Sequence, residues 1–348
     1  MPERIFCAFF MLSALSACTT TPQDSSVCEG SYQISTEAEL AALEGCTEVT
    51  GSLSISGDTL EEVSGLDSLE VIGGSLTVRN TGALGWMSGL SGLTTIGDSL
   101  VIVGNESLNE ISGPSRLTSI GGDLTLLNNP SLDRVSDLDA LETIGGSLRI
   151  LGNPFLGEVS DLSALSSLGG GFTVKGSHLP ELPRLTGLES IEGAVRIEDN
   201  QHLDDLYGLY ELGFVSGDLT ISENPMLVDF SGLHSLTGVG GNVRIGANDG
   251  LLDLRGLSAL QAVSGSFSLW YNDSLRDVDG LSSLREVSGE FVIHSHPSLT
   301  NVDGLSRLES AGQVIVSENP ALCQSEIDAQ FVDVEVEEVS ENHGNDDC

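Results

Sequence analysis

Apolar residues in this chain recur on a fixed beat. "IGGDLTLLNNPSLDRVSDLDAL", Ile120 to Leu141, is followed 24 residues later by "IGGSLRILGNPFLGEVSDLSAL", Ile144 to Leu165. With the first Ile as position 1, units begin at Val49, Ile72, Ile96, Ile120, Ile144, Leu168, Ile191, Val215, Val239, Val263, Val287 and Ser310. The spacing is 24, with three units of 23. Apolar side chains fall at positions 1, 5, 7, 13, 16, 19 and 22. Positions 5 and 7 alternate with polar neighbours as a strand does: Leu76/Val78, Leu124/Leu126, Leu148/Ile150, Leu219/Ile221. From position 13 to 22 the apolar step is three, and Gly or Asp stands near position 18, as at Gly89, Asp137 and Gly280. A helix tolerates Gly poorly, so this stretch reads as short extended pieces joined by bends.

One unit therefore makes one coil of three short straights, and each coil buries its apolar residues against the coils above and below. A single coil has no closed core, so only the stack is stable. Parallel strands lie about 4.8 Å apart, which makes a dozen coils a rod of roughly 55 Å. Burying one Leu or Ile contributes about 1.5–3 kcal/mol, and every coil supplies several. Asn recurs at position 10 (Asn105, Asn129, Asn153, Asn200, Asn224, Asn248, Asn272 and Asn319). At a corner Asn adopts left-handed dihedrals, and its amide bonds backbone groups of the neighbouring coil. That row is structural.

Open ends of a strand stack invite aggregation, so caps are expected. "STEAELAALEGC", Ser35 to Cys46, reads as an amphipathic helix opened by a Thr36-x-x-Glu39 capping box. "CQSEIDAQFVDVEVEEV", from Cys323, reads as a helix and then a strand. The fold class is thus mainly β: a parallel β-helix-like solenoid of about 12 coils, with short helical caps at both ends.

The front end lies outside this pattern. Arg4, the apolar run Ile5 to Leu15 and the small residues after it form a secretory signal, too short for a stable membrane anchor. Leu15-Ser16-Ala17-Cys18 resembles a bacterial lipobox, which implies cleavage before Cys18 and a lipid on its thiol. "TTTPQDSSV", residues 19–27, reads as a polar tether. With Cys7 in the signal and Cys18 lipidated, Cys28, Cys46, Cys323 and Cys348 remain as one pair at each end. An exported protein can oxidise them, and the expected bridges are Cys28–Cys46 and Cys323–Cys348. The expected organisation is 1–17 signal peptide, 18–27 lipidated tether, 28–48 N-terminal cap, 49–322 solenoid and 323–348 C-terminal cap.

Composition narrows the partners. Thirteen basic residues stand against 52 acidic ones, a net charge of -39. That argues against nucleic acid and against contact with anionic lipid other than through the anchor. Scattered acids fit a solvated surface; recruitment of divalent cations or basic partners is the other reading.

"VCEGSYQISTEAELAALEGCTEVTGSLSI", Val27 to Ile55, resembles the opening of the receptor L domain, found in the insulin and epidermal growth factor receptors and in fungal cell-wall proteins. The shared pattern is a Cys, a helix, a Cys and then V-x-G-x-L-x-I. The repeat "LxxIGGxLxIxxNxxLxxVxGL" resembles the body of the same family, over residues 28 to 348. The resemblance implies a right-handed β-helix-like solenoid related to leucine-rich repeats, and it transfers no catalytic residues. The chain departs from the receptor proteins in having about twice the coils and neither a Cys-rich module nor a transmembrane helix.

No catalytic set and no cofactor site emerges. There is no G-x-S-x-G elbow with partners and no P-loop. His294 and His296 flank Ser295, a pair more often exposed than metal-binding. "ENHGNDDC" misses the calcium-loop spacing. The outward strand positions, 6 and 8, say more. Val101, Val103, Leu127 and Leu151 make an apolar outward strip, with Arg149 beside it. Trp270, Tyr271 and His294 make an aromatic spot further along. The expected function is a non-catalytic lipoprotein of the bacterial outer membrane or cell surface, binding a protein or glycan partner on its outer sheet face. The alternatives are a secreted form and a structural or self-associating spacer.

Overall fold

The computed structural model of the chain describes residues 26–332, 334 and 335, and the backbone of 339 and 340. Cys18 and Cys348 lie outside the described residues. The molecule is a parallel-strand β-solenoid of about 12 turns.

The longest ladder carries positions 5 to 8 of each unit. Leu76–Arg79 pairs with Leu100–Val103, that strand with Leu124–Leu127, and that with Leu148–Asn153, always residue for residue one unit apart. The same register continues through Phe172–Ser177, Val195–Glu198, Leu219–Ser222, Val243–Gly246 and Phe267–Trp270 to Glu286–His294 and Ser310–Ser317. A shorter corner ladder runs Glu48–Val49, Val71–Ile72, Thr95–Ile96 and onward to Ser167–Leu168. Near the C-terminal end corner and long strand fuse, with a bulge between Val287 and Glu290.

The hydrophobic pattern explains the register. In the fourth unit Ile120, Leu124, Leu126, Leu132, Val135, Leu138 and Leu141 are all buried, and the other units repeat this set with few departures, such as half-buried Val159 and Ser310. A slip of one residue would turn Leu124 and Leu126 to solvent.

The Asn row runs through the interior as a hydrogen-bonded ladder. Asn224 Nδ2 donates to the Ile197 carbonyl at 2.9 Å, and its backbone N–H donates to Asn248 Oδ1 at 3.1 Å. Asn105, Asn129, Asn200, Asn248 and Asn272 repeat the first bond, each to the unit before. Buried backbone groups at the corner thus find partners. One expectation is corrected: the left-handed residue is not this Asn but the one before it. Position 9 has φ 50° at Asn80, 59° at Glu223, 53° at Ala247 and 51° at Tyr271. The turn that leaves the strand needs the unusual dihedral, while the Asn faces inward to bond its neighbours.

The third side departs from the reading as extended pieces throughout. In the early turns it holds two-residue strands, Glu62–Val63, Trp86–Met87, Glu110–Ile111, Arg134–Val135 and Glu158–Val159, which form their own ladder. From Tyr207 on it holds 3-10 turns: Tyr207–Leu209, Ser231–Leu233, Arg255–Leu257, Asp279–Leu281 and Asp303–Leu305. The cause is local. In the later units position 15 is Asp205, Asp229, Asp253, Asp277 or Asn301, and each Oδ1 accepts the N–H two residues on, at 2.8–3.2 Å. That side-chain turn starts the helical bend. The earlier units carry Trp86, Glu110, Arg134 or Glu158 there, with Glu62 as register partner of Trp86 in the shorter first unit, and these stay in strands. Gly at position 18 is then a stacking requirement: a Cβ on Gly256 would overlap the Phe230 carbonyl of the turn before.

Both ends are covered. Helix α1, Glu37–Ala41, carries the expected capping box of Thr36 and Glu39 but is shorter than the apolar pattern of residues 35–46. Leu40 and Leu43 pack into the core, and Cys28 is bridged to Cys46. Helix α2, Gln324–Gln330, buries Ile327, with Phe331 just beyond it, over the last turn. Val339–Ser340 then adds a strand beside Val314–Ile315. Cys323 is disulfide-bonded.

Candidate binding face

Positions 6 and 8 of the long ladder project outward from a rigid sheet, so their side chains stack in two columns along the rod. Position 6 reads Ser54, Thr77, Val101, Thr125, Arg149, Thr173, Arg196, Thr220, Arg244, Ser268, Val292 and Ile315. Position 8 reads Ser56, Arg79, Val103, Leu127, Leu151, Lys175, Glu198, Ser222, Gly246, Trp270, His294 and Ser317.

The apolar strip is assembled as the sequence implies. Val103, Leu127 and Leu151 are register partners in consecutive turns, Val101 stands beside them, and all four are half-buried while pointing away from the core. Arg149 lies in the next column and pairs with Asp123. Burial pushes the Asp123 carboxyl up, but the Ser147 N–H and the Arg149 guanidinium together hold it below its ordinary value.

The aromatic spot is assembled too. Trp270 and His294 are register partners, and Tyr271 meets the His294 ring edge-on at 5.7 Å between centroids. His294 Nδ1 is 2.9 Å from Ser317 Oγ. Trp270 does not stand off the sheet: a Cβ on Gly246 would fall inside its indole, so the ring lies back across the preceding turn. His296, by contrast, faces inward and is fully buried. It takes an Asn place in the interior ladder, so His294 and His296 are not brought together. Among the described residues no group of His, Cys, Asp or Glu is arranged to hold a metal ion.

Sequence reading missed the charge pattern of this face. Of the 24 residues in the two columns Glu198 alone is acidic, while Arg79, Arg149, Lys175, Arg196 and Arg244 are basic. These five are a large share of the chain's 13 basic residues, against 52 acidic ones. Aligning the units by position would have exposed the signal; reading total charge hid it. Lys175 pairs with Glu198 at 2.9 Å and Arg244 with Asp218 at 2.8 Å. Asp218 is held below its ordinary value, first by the Asn242 N–H and also by Arg244. Arg196 has no carboxylate partner among the described residues, because Gly171 occupies the place that Asp123 and Asp218 take beside the other two arginines.

Two further features lie on the third side. Tyr207, Tyr210, Val228 and Leu252 are exposed there, with Met226 just before it and Phe214 on the corner strand Phe214–Val215. Where the strand ladder ends and the 3-10 stack has not yet begun, a cleft of about 220 Å³ is lined by Glu158, Asp161, Glu181, Arg184 and their neighbours.

Among the described residues no helix is long and apolar enough to cross a membrane. A search of curated proteins gives no match. The family model of the receptor L domain matches residues 45–140, which cover the first turns of the solenoid. Such domains are extracellular and ligand-binding rather than enzymatic. Over those turns, whose stacked strands and inward apolar positions the rest of the rod continues, the chain is similar to the receptor L domain family.

Proposed function

We propose that the chain is a non-catalytic recognition module, tethered at the bacterial outer membrane or cell surface through lipidated Cys18, that holds a protein or polysaccharide partner on the outer face of the long ladder. The observation that carries this reading is the charge segregation. A chain of net charge -39 keeps the two outward columns almost free of acids and places apolar, basic and aromatic side chains there. Depletion of Asp and Glu with enrichment of Arg is part of the composition of interface cores. The family's ligand-binding character supports it.

The test is a pull-down with the lipid-free chain on cell-envelope material, comparing wild type with Leu127→Asp/Leu151→Asp. Loss of capture with unchanged circular dichroism and melting temperature is the expected result. Undiminished capture by the double variant would reject this face. A second reading, lateral self-association as an envelope spacer, is favoured by the exposed apolar residues Tyr207, Tyr210, Phe214, Met226, Val228 and Leu252. Sedimentation showing mass rising with concentration would support that reading instead.

A further inference from the structure

Position 6 of the outer face alternates with a period of two turns. Between Thr125 and Ser268 it reads Thr125, Arg149, Thr173, Arg196, Thr220, Arg244, Ser268. Neighbouring strands are about 4.8 Å apart, so the three arginines recur about every 10 Å along the rod, with a hydroxyl residue between each pair. Asp123 and Asp218 tie Arg149 and Arg244 down across the sheet, while the central Arg196 is exposed and without a carboxylate partner among the described residues. One turn beyond Arg244, Trp270 lies across Gly246 with one ring face toward the sheet.

We propose that this row binds an acidic polysaccharide in which every second sugar carries a carboxylate, running along the rod across the strands and stacking one sugar on Trp270. The proposal rests on the outer face being the binding face. A ligand following the row must be anionic, because the row holds three arginines and no acid. It must repeat its charge at about the length of two sugars, because the arginines do. An acidic peptide fits less well. Laid across the strands, its backbone cannot add to the sheet, which is how an extended peptide gains main-chain bonds. A polysaccharide needs no such pairing, and its hydroxyls meet those of Thr125 and Thr173. The half-buried indole, turned away from Gly246 on its outer face, suits the apolar face of a sugar ring, which needs no pocket. Repulsion from the remaining acids is screened beyond about 8 Å at physiological salt, so the local row decides.

The chain holds two Trp, so Trp86→Phe leaves Trp270 as the reporter indole. In that background the full chain is titrated with a hyaluronan decasaccharide, which alternates glucuronate with a neutral sugar. Parallel titrations use an oligogalacturonate, a neutral cello-oligosaccharide and a polyglutamate peptide. The expected result is a change in Trp270 fluorescence with hyaluronan, at least tenfold tighter than with the cello-oligosaccharide or polyglutamate, and weakening as salt rises. Oligogalacturonate, charged at every sugar, should bind more weakly than hyaluronan. Arg196→Ala and Trp270→Ala, both followed by calorimetry, should each weaken hyaluronan at least tenfold, while Arg134→Ala, on the third side, leaves it unchanged. Equal binding of neutral and acidic sugars, tighter binding of polyglutamate, no binding of hyaluronan, or indifference to Arg196→Ala would each overturn the proposal. If hyaluronan fails while Leu127→Asp/Leu151→Asp still abolishes capture from envelope material, the face stands and only its occupant is wrong. If neither set of variants changes any binding, the face itself is wrong.

Discussion

The early and late turns share one core and differ on the third side. Both bury the same seven positions, and both thread the same Asn ladder through the interior. Yet the early turns close that side with strands and the late turns with 3-10 bends. The difference traces to one residue per unit: Asp or Asn at position 15 captures a nearby backbone N–H, while Glu, Trp or Arg leaves it to the ladder. A single short side chain chooses between two backbone paths because both bury the same apolar residues. The choice has an electrostatic side as well. Stacked acids at position 15 repeat along the late turns, and Asp205 is held above its ordinary value, chiefly by burial and further by neighbouring acids that include Asp229.

The largest test of this contrast is steric. Gly256→Ala should lower stability by about 3 kcal/mol, because the methyl overlaps the Phe230 carbonyl of the stacked bend. Gly85→Ala, in an early turn, meets nothing closer than 3.9 Å and should be neutral or stabilise by about 0.5 kcal/mol. Urea unfolding compares them; equal effects would show that the late bends do not stack as described. A smaller test concerns the cap. Asp229→Ala should cost about 1 kcal/mol, whereas Asp229→Asn keeps the acceptor and should hold stability, as Asn301 does in its own unit. Glu110→Ala, at the same position of an early turn, should stay within about 0.5 kcal/mol. A full loss in Asp229→Asn would assign the effect to charge rather than to the turn.

The smallest expected effect sits where the late ladder is imperfect. His296 stands in the Asn row, its Nδ1 accepting the Asn272 N–H at 3.2 Å while its buried Nε2 lacks a hydrogen bond. Burial lowers its pKa below the ordinary 6.5; nearby His294 acts in the same direction, while the Asn272 and Leu269 carbonyls and Asp273 act against it. The unfolded chain therefore binds the proton more readily than the folded one. Stability should fall as pH drops below about 6.5 and level off once pH passes below the folded-state value. His296→Asn should remove that slope and add up to about 1 kcal/mol at acid pH. Melting temperatures from pH 7.5 to 5 decide it, and a slope that survives in the variant would place the titration elsewhere.

Much of this was legible in the residues. The 24-residue beat at Ile120 and Ile144 gives the number of turns, the inward positions and the register. The Thr36–Glu39 box gives the first cap, and the position of Cys28 and Cys46 gives their bridge. The outward orientation of Val101, Val103, Leu127, Leu151, Trp270 and His294 followed from the same alternation. Other features were missed because they depend on neighbouring turns. Gly280 was read as a mark against helix, whereas it marks where two helical bends touch. Position 10 was expected to take the left-handed dihedral that falls to position 9. His294 and His296 looked like a pair until one was found on the surface and the other inside.

The sequence by itself determined the stack, since a period of two along each strand and of 24 between strands admits one way of burying Leu, Ile and Val. Tertiary structure decided what the surface became. Side chains distant in sequence, such as Arg149, Arg196 and Arg244, form one row only because parallel pairing sets equivalent positions side by side, and Trp270 lies down only because the turn before it offers a residue without a side chain.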